Sequence, residues 1–205
     1  MISSNDSRTF ELLAGHPALD LVNTLDWRFR ETGSEELLAG YDDLLRFAAQ
    51  SELVTPKQIR KILRATSQQA AADALVSCRQ MREAAAEILY ATLDRCAPPP
   101  GAIKTLERFI KEALTRQHLV FSAHRLRWEL PAQNSSADLP FWLLTLSVAQ
   151  LLVSEEVKRL RMCGNPECRW LFLDTSKNRK RRWCDMKVCG NRMKARRFQS
   201  RGRGS

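Results

Sequence analysis

The stretch CGNPECRWLFLDTSKNRKRRWCDMKVCGNR, residues 163–192, decides how this chain is read. It holds Cys163, Cys168, Cys184 and Cys189 in the spacing Cys-x4-Cys-x15-Cys-x4-Cys. Two cysteine pairs separated by a hairpin-sized stretch are the layout of a structural four-thiolate zinc site. Each pair supplies two ligands from one turn, and Gly164, Asn165 and Pro166 tighten the first. Four thiolates fill the tetrahedron and leave no position for water, so one structural Zn2+ is expected and a catalytic one is not. Residues 169–173 read as a strand, with Arg181 to Trp183 returning beside it and Asp174 to Arg179 forming the bend. A helix is expected from about Met186 onward, with Met186, Cys189 and Met193 on one face. A segment of about 30 residues is too small to fold alone, so the metal should hold it. Disulfides are the alternative use of these thiols, and clustering in a cytoplasmic chain argues against them.

Charge sets this segment apart from the rest. Residues 158–205 carry 16 Lys and Arg against three acids, a net +13, while residues 1–157 carry 17 against 20, a net −3. The whole excess of +10 therefore sits on the last quarter of the chain, which points to a polyanion partner for that part alone. Lys177, Arg179, Lys180, Arg181, Arg182, Arg192, Lys194, Arg196 and Arg197 are the candidate phosphate contacts, and Asn191 with Arg192 could read base edges. Interleaved Trp170 and Phe172 are expected to pack on the zinc knuckle rather than to stack on bases. A basic face that is merely solvated is the plainer alternative.

Outward from this segment, residues 1–158 form a body, and residues 159–205 the zinc module. The body reads as mainly α with a small β-hairpin, and the module as a zinc-bound β-hairpin plus helix. Gly15, His16 and Pro17 mark a turn, after which Ala18 to Thr24 is a strand or a short helix; periodicity does not separate the two. A helix is expected over 41–53, and Thr55-Pro56-Lys57-Gln58 is a capped helix start. A long helix follows over about 68–95, ended by Pro98-Pro99-Pro100-Gly101, and another over about 102–116. The alternating runs 118–123 and 125–130 read as a hairpin. The helix at about 140–156 is apolar nearly all round and belongs at the centre. The apolar run Leu139 to Val153 is too interrupted to span a membrane, and Met1 to Phe10 lacks the apolar stretch of a secretory signal. A cytoplasmic protein without membrane contact is expected.

Several motifs carry a resemblance. Cys163-Gly-Asn-Pro-x-Cys168, Leu-Phe-x-Asp-Thr-Ser-Lys-Asn-Arg over 171–179, Arg182-Trp183-Cys184-Asp-Met186 and Cys189-Gly190-Asn191-Arg192 together resemble the CGNR zinc finger family. In that family the finger follows an ABATE domain of stress-induced transcription regulators, and Leu19-Asp20-Leu21-Val22-Asn23-Thr24 is similar to its opening motif. The resemblance implies a bacterial DNA-binding regulator whose zinc is held by Cys163, Cys168, Cys184 and Cys189.

A regulator needs an input, and His16, Asp20 and Asn23 among apolar neighbours are the candidate effector contacts. The stronger alternative is that Asp20 and Asn23 cap helices or satisfy buried backbone. No nucleophile elbow, phosphate loop or paired catalytic carboxylates occur, so an enzyme is not expected. DNA is the favoured partner; RNA, a ribosome, or an acidic protein remain alternatives, and a homodimer would match a palindromic operator.

Overall fold

The computed structural model describes residues 9–130 and 136–202. The region opening at Ala18 is a helix, α1 (Pro17–Val22). His16 decides this locally: its Nδ1 accepts from the Ala18 N–H at 3.2 Å, and Pro17 at the first position needs no partner for its nitrogen. A two-residue ladder follows, β1 (Leu25–Asp26) with β2 (Glu35–Glu36). Helices α2 (Tyr41–Gln50) and α3 (Pro56–Ala65) come next, the latter closed by a Thr55–Gln58 capping box. The long helix α4 (Gln68–Leu93) starts on Ser67, whose side chain accepts from Ala70. It ends ahead of the proline run, and α5 (Pro100–Leu114) begins inside that run. Then come the hairpin β3 (His118–Ser122) and β4 (Arg125–Glu129), and the central helix α6 (Leu139–Val153).

α6 lies at the centre, as its all-round apolarity requires, and contacts α1, α2, α4 and α5. Phe141, Trp142, Leu144, Val148 and Leu151 are buried on it, and Phe109 of α5 meets Phe141 edge to face at 5.1 Å. Leu19 and Leu21 of α1 and Cys78, Met81 and Leu89 of α4 complete this core. One buried cation fixes the opening region. Arg82 of α4 grips Glu36 with two hydrogen bonds of 2.7 Å and donates to Thr24 Oγ1 at 3.0 Å. Paired and bonded on several sides, the guanidinium escapes the cost of an isolated buried charge.

After a 3-10 turn at Glu155–Arg159 the chain enters β5 (Leu160–Met162), which pairs antiparallel with β6 (Leu171–Leu173). This corrects the strand pairing read from the sequence, which placed Arg181 to Trp183 beside residues 169–173. The reason is that both edges of β6 are taken. β5 occupies one edge in the register Leu160↔Leu173 and Met162↔Leu171. On the other, Leu173 N–H donates to the Ala14 carbonyl at 2.8 Å and Leu171 is held by the Asn23 side chain. The 181–183 segment instead crosses the first cysteine turn, where Gly164 N–H donates to the Arg182 carbonyl at 2.9 Å. A π-turn at Met186–Gly190 then leads into α7 (Asn191–Gly202). Leu171, Phe172, Leu173 and all four zinc-module cysteines belong to the same apolar cluster as α1, α4 and α6.

Candidate metal centre and basic face

The metal centre is built from two turns. β5 delivers Cys163, whose N–H bonds to the Trp170 carbonyl at 2.8 Å. Asn165 then organises the turn: its carbonyl accepts from Cys168 and Arg169 at 3.1 and 3.0 Å, and its Oδ1 accepts from Glu167 N–H at 3.2 Å. Its Nδ2 lies 3.5 Å from Cys189 Sγ and donates to that sulfur. An N–H aimed at a thiolate is the outer support that orients a ligand. The second turn is capped by Asp185, whose Oδ1 accepts from Val188 N–H at 2.8 Å. A Cβ at Gly190 would meet the Met186 sulfur and approach the Trp183 ring at 3.2 Å, so glycine lets both side chains close in beside Cys189.

Cys163, Cys168, Cys184 and Cys189 are buried, and their sulfurs all lie within 4.8 Å of one another. The Cys168–Cys184 separation is 3.7 Å, and a ZnS4 tetrahedron with bonds of about 2.3 Å has edges of roughly 3.8 Å. Contact with Cys163, together with burial, holds the Cys168 and Cys184 thiols above their ordinary values. Four crowded thiolates need a dication to coexist, and a closed four-sulfur set suits zinc. The donor set therefore fits one structural zinc ion.

Around this centre the structure sorts the predicted basic contacts into two groups. Arg181 works inside the fold. Its guanidinium lies 4.3 Å over the Phe172 ring and donates to the carbonyls of Trp183 at 3.0 Å, Leu13 at 3.2 Å, and Cys184. Arg192 stacks 4.5 Å over Trp27, and Arg196 pairs with Glu167. Arg182 lies 4.9 Å over Trp183 yet stays exposed. Lys177, Arg179, Lys180 and Lys194 are exposed, with no ion pair among the described residues, and Asn191 is exposed as well. Arg197 lies on α7, and its side chain falls outside those described. Trp170 and Phe172 are buried, as packing residues should be.

Sequence reasoning missed Asp174, which shapes the basic loop. Its Oδ1 accepts from Ser176 N–H at 3.0 Å and from the Ser176 hydroxyl, and its Oδ2 accepts from Arg181 N–H at 3.0 Å. The Ser176 hydroxyl bond, with these backbone bonds, holds its carboxyl below the ordinary value. The signal was present as an Asp two residues before a Ser at a polar bend.

The candidate effector residues take up backbone partners. His16 caps α1, and burial holds its pKa down. Asp20 Oδ1 accepts from Ala14 N–H at 2.9 Å, and burial pushes its carboxyl up to about 6. Asn23 Nδ2 donates to the Leu171 carbonyl, and its Oδ1 accepts from Leu171 N–H, both at 2.9 Å. Asp20 and Asn23 border a crevice of only about 10 Å³. A larger cleft, of about 250 Å³, opens beside them between the opening segment and the metal centre, lined by Phe10, Asp26, Trp27, Leu37, Trp170 and Val188. Asp26 Oδ1 accepts from the Trp170 indole at 2.8 Å, and burial raises its carboxyl. Asp26 and Trp27 had no distinguishing signal in the sequence.

Residues 15–155 match the ABATE family model, described as "Putative stress-induced transcription regulator", and residues 159–202 match the CGNR zinc finger. The chain belongs to the ABATE family. The order of the two matches, ABATE then finger, agrees with the resemblance read from the motifs, and the tetrapeptide that names the finger acquires a physical account. Cys189 is a ligand, Gly190 leaves space for the Met186 and Trp183 side chains beside it, and Arg192 covers Trp27 of the ABATE body. No curated protein matches the chain. Among the described residues no helix is long and apolar enough to cross a membrane.

Proposed function

We propose that this chain is a zinc-dependent, DNA-binding regulator of transcription. The observation that carries the reading is the exposed basic loop Lys177, Arg179 and Lys180, anchored at Asp174 on a zinc-fixed finger whose body is slightly acidic. Unpaired cations on a rigid support displace counterions from phosphates without first breaking internal ion pairs. Arg182 and Lys194 extend the contact, and Asn191 is the candidate for base edges. Zinc has a scaffold role here, since four thiolates leave no coordination position for substrate or water.

The sensor half of the reading moves from His16, Asp20 and Asn23 to the cleft at Asp26 and Trp27. That space can admit a small molecule, and one of its walls, Trp27, is also the ring on which Arg192 rests. A ligand that displaced Trp27 would release or reorient the start of α7.

The test is binding of the zinc-loaded full chain to random duplex DNA and to structured RNA across a salt series. A steep loss of affinity with salt, with duplex preferred, is the expected result. Preference for RNA would move the function to RNA, and no binding to either at low salt would overturn the nucleic-acid reading.

A further inference from the structure

The hairpin β3–β4 carries all its large apolar side chains on one face. In the observed register Leu119 sits opposite Trp128 and Phe121 opposite Leu126. Side chains alternate along a strand, so these four share a face, while His118, Val120, Ser122, Arg125, Arg127 and Glu129 take the other. Such a pattern ordinarily marks the face laid on a core. Here it is not: Leu119 is 54% exposed, Phe121 69%, Leu126 62% and Trp128 64%. Apart from each other, neither strand packs extensively against any described element.

A two-stranded ribbon alone is marginal in water, and an apolar patch of this kind marks a contact surface. We infer that this face is the dimer interface of the protein, the hairpins of two copies packing face to face about a two-fold axis. The patch suits its own copy. It is free of charge, its two cross-strand pairs each join a leucine to an aromatic ring, and an isologous contact needs one self-complementary surface. The area is sufficient as well. An aromatic side chain offers roughly 150–250 Å² and a leucine somewhat less, so the four aromatics and four leucines of two copies, about two-thirds exposed, supply on the order of 1,000 Å², the lower bound of a specific interface. A lipid surface fits less well, because the reverse face carries Arg125, Arg127 and Glu129 within one strand thickness. The interface lies outside the zinc finger, so it stands whether or not the finger binds nucleic acid.

Sedimentation velocity on the zinc-loaded full chain tests this directly. The chain mass is 23.5 kDa, so the expected wild-type species at about 50 µM is twice that mass. Phe121→Glu and Trp128→Glu alter side chains already exposed within one chain, so zinc content and helicity should be retained. Each should raise the dissociation constant at least about 100-fold. Val153→Glu, at a site 89% exposed on α6, should remain dimeric. A wild-type monomer at that concentration would overturn the inference, as would a dimer that persists in both hairpin variants. A wild-type monomer that co-sediments with anionic vesicles through Trp128 would overturn it in favour of a membrane contact.

Discussion

The side chain of Asn23 pairs with the main chain of Leu171 in both directions, donating to its carbonyl and accepting from its N–H at 2.9 Å each way. The amide thus imitates a strand residue and completes the free edge of β6, across 148 positions of sequence. Both partners are buried, so neither Leu171 group has water as a substitute.

Asn23→Ala should therefore cost about 2–4 kcal/mol of stability, since it orphans a buried donor and a buried acceptor together. Urea unfolding of the zinc-loaded protein measures this. A change below about 0.5 kcal/mol, the range of ordinary surface substitutions, would show that the Leu171 groups find other partners.

Cys184→Ser should release the zinc and loosen more than the finger. The ligand cysteines share one apolar cluster with α1, α4 and α6, and β6 is tied to Ala14 and Asn23. Hydrogen exchange should rise at Leu171, Leu173 and Ala14 as well as in residues 163–190, alongside metal analysis showing loss of the ion. Full zinc stoichiometry in this variant would count against the ligand set.

Asp20 supplies a pH-dependent contribution of known sign. Burial raises its carboxyl from 3.8 to about 6, so the folded chain keeps the proton over a range where the unfolded chain has lost it. Stability from this group is greatest below about pH 4 and falls as pH rises toward about 6. Asp20→Asn abolishes the effect, so the variant should gain on the wild type by up to about 3 kcal/mol between those limits. Zinc loss in acid affects both proteins and cancels in the difference. A gap between the two that stays constant with pH would refute the assignment.

Asp174→Ala makes the finger one charge more positive and should nevertheless weaken duplex binding, by about 3- to 10-fold, because Lys177, Arg179 and Lys180 must then be ordered on binding. Replacing those three by Ala should lower the salt slope of log K by about 3 and leave the zinc in place. Tighter binding by the Asp174 variant would mean that net charge alone governs the contact.

The sequence by itself determined the parts whose physics is local. Cysteine spacing announced the zinc, because ligand geometry is set within short turns. Thr55-Pro56-Lys57-Gln58 announced a helix start, and all-round apolarity announced α6 as the centre, because capping and periodicity act over a few residues. The alternation in 118–130 gave the hairpin correctly, but not the fact that its apolar face stays largely exposed among the described residues. Only the tertiary structure decided the partner of β6, since Leu160–Met162 and the Asn23 amide reach its edges before Arg181 to Trp183 can. It also divided the cations, committing Arg181 to Phe172 and to backbone carbonyls while leaving Lys177 and Lys180 exposed. Charge is a property of composition, whereas availability depends on which carbonyls and rings the fold brings within reach, and those lie up to 168 residues away in the chain.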